Sequence, residues 1–494
     1  MSERTSRNHE SKHGRIAASG WRRLSGVCAA ACCVVPLAAW QTSWADELPP
    51  AEKPLGSIGR TQLQRDTGDA VQITCGGFIA AGTQPGTVPL FDTCSAMVQT
   101  ANDLLNNGGG TGSSLGLTRD ELADSLQQVA TEEYAATQSM AAELASNSIN
   151  SALSRLVAVR RGVSGFSVSG LMPDTRRGLA TNAFYTPSQS LRGGAAGDGP
   201  DWGRFSAFAS VDVGSGDRDA TERTDSFDFD TLSLTAGADY RFGDNLIAGA
   251  LLTYSDVSSS FNDSATVSGG GVDSDGWSAS VYGTWYKGPI YVDGLIGYGT
   301  QDYDIRRRIF IPSRNPAIAT INETASGSTD SNDLTLSLGA GYQWNTGPWN
   351  LEPYARLTYL DVDVDGYRES GAEASGLNLN VDGQDWKSFT SVVGARVSRS
   401  LSHSFGVVVP QARVAWVHEF ENNSEEITAT YIADPRQNVL RATSDEPDRD
   451  YFKLGLGLSV VLPGGAQLFV NYDTVLGLDG YSQYVVSLGG RIEL

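Results

Sequence analysis

From about residue 202 onward, polar and apolar side chains alternate one by one. In TLSLTAGADYRF (231–242), Leu232, Leu234, Ala236, Ala238, Tyr240 and Phe242 fall on one face. Ser233, Thr235, Gly237, Asp239 and Arg241 fall on the other. Residues 277–286, 334–344 and 452–460 repeat the pattern, and period two is the signature of a strand with one apolar face. Such segments start near 204, 229, 246, 276, 290, 333, 349, 388, 405, 450, 466 and 484. The last, YVVSLGGRIEL, sets Tyr484, Val486, Leu488, Ile492 and Leu494 on one side.

The connections alternate between short and long. FGDN, KGP, NTGP, SLSH and LPGG are short, whereas about 214–228, 259–275, 306–332, 366–387 and 422–449 are long. A transmembrane barrel sorts its loops this way, with short periplasmic turns, long external loops and an even strand count. The expected fold is therefore all-β, a 12-stranded antiparallel transmembrane β-barrel over 202–494. Trp285, Tyr286, Trp344, Trp349, Tyr240 and Phe242 near strand ends are the expected interfacial girdle. A closed barrel pairs its last strand with its first, which gives Leu488, Ile492 and Leu494 to barrel closure.

Ahead of the strands lies a different pattern. In 118–161, Thr118 and Glu121 form a capping-box pair, acids crowd the start, and Arg155, Arg160 and Arg161 sit at the end, as the helix dipole favours. The apolar stripe is thin and interrupted by Ala, Ser, Thr and Gln. This predicts a helix over 118–165 suited to a narrow, wet cavity, followed by a linker over 166–201. Residues 46–117 are rich in Gly, Pro and Thr and read as a short passenger or linker, either a small folded module or a mostly disordered arm. Within them VQITCGGFIAA is a candidate short strand and NNGGGTGSS a flexible hinge.

The front end changes the charge and cysteine picture. Arg15, Arg22 and Arg23 precede the apolar run 24–40, and a small-x-small exit ends at Ala45 before Asp46. Residues 1–45 thus read as a secretory signal peptide cleaved between Ala45 and Asp46, with an uncleaved anchor as the alternative. Removing its six basic and two acidic residues from 36 and 57 leaves 30 and 55, a net of −25. Nucleic acid is excluded as a partner for want of a basic footprint. Cys75 and Cys94 remain, and in an exported chain two cysteines predict a disulfide. No cofactor or metal is implied.

The stretch LEPYARLTYLDVDVDGYRESGA (351–372), with Pro353, Tyr354, Leu357, Tyr359, Tyr367 and Glu369 in place, resembles the most recognisable barrel segment of the autotransporter (type V secretion) family. The resemblance covers about 118–494. It implies a helix that threads the barrel lumen and joins an exported passenger to its anchor. By alternation Asp239, Arg241, Arg356 and Arg396 face the lumen, where they are expected to meet the helix and its Arg155, Arg160 and Arg161. The implied function is an outer-membrane translocator and anchor, not an enzyme, that displays its own short passenger at the surface of a Gram-negative bacterium. The alternatives are a porin-like channel with a periplasmic or plugging N-terminal arm, and a surface adhesin. Expected partners are outer-membrane lipid and lipopolysaccharide, the Sec export route and the barrel assembly machinery, with the barrel a monomer.

Other motifs carry less. Gly112-Ser113-Ser114-Leu115-Gly116 matches G-x-S-x-G, but a nucleophile elbow needs a strand, a helix and a histidine, and 46–117 has no histidine. Asp361, Asp363 and Asp365 copy half of a calcium loop whose position 12 is Ala372; their alternation with valine fits a strand running beyond the membrane. ENNSEE (421–426) and SDEPDRD (444–450) read as solvated loop tips, and Arg306, Arg307, Arg308 and Arg314 as exposed cations of an external loop.

Overall fold

A computed structural model describes residues 54–107, 112–130, 165–169, 204–261, 269–421, 423–446, 448–462, 467–482 and 484–491, with Ala152, Arg155, Leu156 and Arg160 from 131–164. The signal segment, Arg161, Ile492 and Leu494 lie outside them.

Twelve long strands follow one another as neighbours in a single antiparallel sheet among the described residues. They are β1 (Phe205–Arg218), β2 (Phe227–Arg241), β3 (Leu246–Phe261), β4 (Gly270–Lys287), β5 (Ile290–Ile311) and β6 (Ile321–Tyr342). Then come β7 (Trp349–Val364), β8 (Gln384–Arg399), β9 (Gly406–Glu419), β10 (Asp450–Val461), β11 (Gln467–Leu476) and β12 (Tyr484–Arg491). Leu488 of β12 pairs with Val470 of β11. Just upstream, Tyr481 and Ser482 return to Arg218 and Asp217 of β1. The lower part of β1 instead takes Gly165–Ser169 in parallel, so on the edge of β1 away from β2 the partners come from 481–482 and 165–169.

Low on the sheet the arrangement is inside out. Leu234, Val281, Ile296, Leu338 and Leu456 point outward and are exposed, while Thr235, Ser255, Ser280, Thr284 and Ser337 point inward and are buried. Outward aromatics bound this apolar face. Tyr240, Phe242, Trp285, Trp344 and Trp349 stand at the short-turn end, and Trp277, Tyr298, Trp416 and Phe452 at the other. Trp277 and Trp285 are eight residues apart on β4. That is about 26 Å along the strand at ~3.3 Å per residue, or about 20 Å along the normal at a tilt of about 40°, close to the apolar band of an outer-membrane barrel. Tyr286 does not join the girdle; it sits on the inward side, its hydroxyl accepting from Arg241.

Above the second girdle the polarity inverts. On β5 the outward positions change from Ile296 and Tyr298 to Asp302, Asp304 and Arg306. The inward ones change from Asp293 to Tyr303, Ile305, Ile309 and Ile311, all buried. β5 and β6 are 22 residues each, against the roughly 9–11 that cross a bilayer. The expected loop 306–332 is therefore mostly strand, with its turn at 312–320, and 422–449 holds strands Glu426–Tyr431 and Val439–Thr443. These two pair with Tyr367–Arg368 and Leu379–Val381 in a small antiparallel sheet. The loop reading fails because inversion of the apolar face looks like the end of a membrane strand.

The N-terminal region is a folded cap on these tall strands. Helix α1 (Gln62–Ala80) starts at a Thr61–Gln64 capping box and buries Leu63, Thr67, Ala70, Val71, Thr74, Cys75 and Phe78. This corrects the strand reading of VQITCGGFIAA: the 3.6 period is complete only when Thr67 and Thr74 count as core positions. Helix α2 (Pro89–Leu104) has Pro89 at its first turn, where the missing N–H is no loss. It buries Leu90, Phe91, Cys94 and Met97. Cys75 and Cys94 are joined by a disulfide, Cα atoms 5.6 Å apart, and Phe78 meets Phe91 at 5.8 Å. Helix α3 (Arg119–Gln127) opens on the Thr118–Glu121 box but ends nine residues on, so 118–165 is not one helix. Gln128–Ala130 form a turn, and Gln128 is held by strand β5, its side chain accepting from Phe310 N at 2.5 Å. Ser114 lies buried on Thr100 rather than in a hinge.

Candidate functional site in the barrel lumen

Helical positions Ala152, Arg155, Leu156 and Arg160 fall at i, i+3, i+4 and i+8, one face of a helix. The first three are buried. The two arginines reach two separate clusters on the barrel wall.

Arg155 donates from Nε to Asp239 of β2 at 2.6 Å, both side chains under 5% exposed. Its guanidinium stacks over Phe208 of β1, 4.9 Å from the ring centroid, and the Tyr282 hydroxyl of β4 donates to Asp239 at 3.3 Å. Tyr282 gets there by crossing β3 above Gly249, the residue paired with both Asp239 and Tyr282. A methyl group at 249 would stand less than 3.0 Å from the phenol oxygen, so only glycine leaves the path open.

Arg160 donates to Asp293 of β5 at 2.5 Å, lies 3.8 Å from Glu352 of β7 and stacks 3.7 Å over Tyr291. Tyr291 in turn donates to Glu352 at 2.8 Å, passing over Gly341 of β6. Arg356 lies 3.6 Å from Asp293, and Arg396 lies 3.4 Å from Glu352. Further round, Arg413 of β9 pairs with Asp473 of β11 at 3.1 Å. Ionised groups inside a bilayer face a bundle interior or water and pair with one another. These do so on a wall that also carries Ser, Thr and Gly and, around Ala152 and Leu156 of the helix, the apolar Leu251 and Leu295.

Alternation placed Asp239, Arg356 and Arg396 on the inner face, and the structure brings them to Arg155, Asp293 and Glu352. Arg241 is inward at the short-turn end, bonded to Tyr286 rather than to the helix. Sequence reasoning passed over Asp293, Glu352, Tyr291, Phe208, Arg413 and Asp473. Their signal was available: Glu352 lies between the outward Leu351 and Pro353, just as Tyr282 lies between Val281 and Gly283.

A second buried ion pair ties the cap down. Arg307, expected in an exposed loop, is 2% exposed. It grips Glu369 with Nη2 at 2.6 Å and Nε at 3.1 Å, and donates to the carbonyls of Leu377 and Gln128. It thus joins β5, the 366–387 connection and the exit of α3. Arg306 pairs with Asp273 and Arg314 with Glu121, both on the surface. Asp361, Asp363 and Asp365 alternate with Val362 and Val364, which enter the cap core.

The family description for the autotransporter beta-domain matches residues 207–473. The chain belongs to this family. Its strands are accordingly those of a translocator-type barrel in the outer membrane of a Gram-negative bacterium. Among curated relatives, outer membrane protein A of Rickettsia rickettsii is 25% identical over 308 residues, 62% of this chain and 13% of that protein. Esterase EstA of Pseudomonas aeruginosa is 26% identical over 318 residues, 62% of this chain and 46% of that protein. The chain thus spans less than half of the length of these relatives. Among solved structures, the translocator domain of NalP from Neisseria meningitidis is 18% identical with a TM-score of 0.44, covering 59% of this chain and 88% of that one. The autotransporter beta-domain here is therefore a translocator barrel with charged helix contacts inside and a folded helical cap at one end.

Proposed function

We propose that the barrel carries its own N-terminal segment to the outer face of the membrane and keeps it there as a docked cap. The observation that carries this reading is the path of the chain. The described part of the cap reaches Ala130, beside the tall strand ends, and Arg155 and Arg160 of the same chain lie inside the wall, among membrane-level groups. A segment joined in this way to a helix in the lumen has the form of cargo drawn through the barrel and left attached. The cap packs against long connections: Leu63 N donates to Glu222 O, Arg314 N to Leu115 O, and Thr93 Oγ1 to Ser375 O. Export by the Sec route, insertion by the barrel assembly machinery, contact with lipopolysaccharide and a monomeric barrel belong to the same proposal. Catalysis does not: the esterase name belongs to the relative, and 46–117 here lacks any histidine.

The test is protease accessibility on intact cells, with an epitope inserted near Glu52. Removal of the epitope by external protease, with a periplasmic marker intact, supports export. Cleavage only after the outer membrane is opened overturns it in favour of a channel with a periplasmic arm. Loss of attachment on deleting 46–117 from a barrel that still folds would add the adhesin role.

A further inference from the structure

The edge of β1 that faces away from β2 fits two segments of this chain. At its upper end Tyr481 and Ser482 lie antiparallel to Arg218 and Asp217. Continued down both strands, that register seats Leu488 opposite Val211, Gly489 opposite Ser210 and Leu494 opposite Phe205. Parity supports it. Leu488 pairs on its other side with Val470, an outward position, and Val211 shares its parity with Phe205, which is outward and exposed. A slip of one residue would set an apolar face against a polar one.

At the lower end the same backbone groups are held by another segment. Gly165–Ser169 runs parallel to β1, with Gly165 opposite Ser206 and Ser169 opposite Ser210. Its GFSVS pattern keeps the parity of the wall. Phe166 and Val168 stand opposite Ala207 and Ala209, which share the outward parity of Phe205. Ser167 stands opposite Phe208, the ring under Arg155 in the lumen. A strand edge offers one row of N–H and C=O groups, so the two pairings of Ser206–Ser210 exclude each other. Gly165 also follows Arg160 by only five residues, and Arg160 is fixed to Asp293.

Two physical effects rank the segments in opposite order. Parallel pairing is slightly weaker per residue, and it supplies five pairs, whereas Tyr484 to Leu494 supplies eleven. The finished seam therefore favours the terminal segment. Chain length favours the other: 35 residues link Ser169 to β1, and 278 lie between Ser210 and Gly489. Because closure entropy grows as 3/2 ln n, the nearer segment reaches the edge about 20-fold more readily while the strands between are still unformed. An uncovered edge in lipid leaves backbone groups without partners.

We propose that Gly165–Ser169 is a place-holding strand, which covers the lower edge of β1 during assembly and yields it to Gly489–Leu494 when the seam closes. The tail of the lumenal helix is thereby held at the wall while the remaining strands close round it. This goes beyond the export reading and does not depend on it, since refolding in micelles involves no transport.

The chain 46–494 with Val168→Cys and Ala209→Cys, or with Gly489→Cys and Ser210→Cys, is diluted from urea into detergent micelles, its Cys75–Cys94 disulfide already formed. Dibromobimane, which fluoresces on bridging neighbouring thiols, is added at successive times, and the folded barrel is followed as the gel band that shifts on heating. The expected result is a 168–209 bridge that rises ahead of the folded band and falls as the 489–210 bridge rises. Phe166→Pro with Ser167→Pro removes a ladder donor whichever of the two N–H groups faces β1. It is expected to slow appearance of the folded band severalfold and to leave its final melting temperature unchanged. A 489–210 bridge that forms first, a 168–209 bridge that persists in the fully folded band, or an unchanged folding rate in the proline variant overturns the proposal.

Discussion

Arg155 and Asp239 are 84 residues apart in the chain and 2.6 Å apart inside the barrel. Each is nearly dry, so removing either leaves a buried charge without its partner. A buried pair broken on one side costs about 3–5 kcal/mol, whereas replacing both members by apolar groups of similar volume is often neutral. Asp239→Asn and Arg155→Ala are therefore each expected to lower barrel melting. The double variant Arg155→Met, Asp239→Leu is expected to recover most of the loss. A double-mutant cycle on the folded gel band measures the coupling.

Gly341 is the second place where the lumen depends on a missing side chain. A Cβ there would stand less than 3.0 Å from the ring and hydroxyl of Tyr291. Gly341→Ala should push Tyr291 off Glu352 and from under Arg160, at an overpacking cost of about 1–3 kcal/mol. Gly294→Ala, in open space on the outer face, serves as the control and should melt like the parent.

Arg307→Met is expected to loosen the cap without unfolding the barrel. It leaves the Glu369 carboxylate buried and releases the carbonyls of Gln128 and Leu377. Limited proteolysis should cut within 54–130 faster than in the parent, while the barrel band keeps its mobility.

Reduction of the Cys75–Cys94 disulfide should weaken the cap alone. Closing a loop of 19 residues in the unfolded chain corresponds to about 3 kcal/mol in the chain-entropy account. Hydrogen exchange of α1 and α2, before and after reduction, reads this directly. Unchanged protection would show that packing on the tall strands suffices.

The start of α3 gives the cap a pH dependence. Hydrogen bonds from the Thr118 backbone and hydroxyl, with the nearby Arg314 charge, hold the Glu121 carboxyl below its ordinary range. A depressed carboxylate contributes stability above its unfolded value of about 4.3, and the contribution is lost as pH falls through the folded value. Cap proteolysis should accelerate below about pH 4. In Glu121→Ala that step should shrink, and the cap should be weaker by about 1 kcal/mol at neutral pH, as for a lost helix cap.

Period-two alternation alone determined the strands of the membrane band, which side of each faces lipid, and that Asp239, Arg356 and Arg396 turn inward. The Thr118–Glu121 pair likewise fixed where α3 begins. These are local properties, because a side chain's face follows from its parity along the strand. Which inward charges meet does not: Tyr282 reaches Asp239, and Tyr291 reaches Glu352, through the stagger of neighbouring strands and the gaps left by Gly249 and Gly341. Only the tertiary structure decided that the strands continue past the membrane with their polarity reversed, because Ile305, Ile309 and Val364 face inward only where α1–α3 cover them. For the same reason Thr67 and Thr74, polar by type, became core, and Arg307 in its run of arginines became a buried clasp. Burial is set by what packs against a face, and that partner comes from distant parts of the chain.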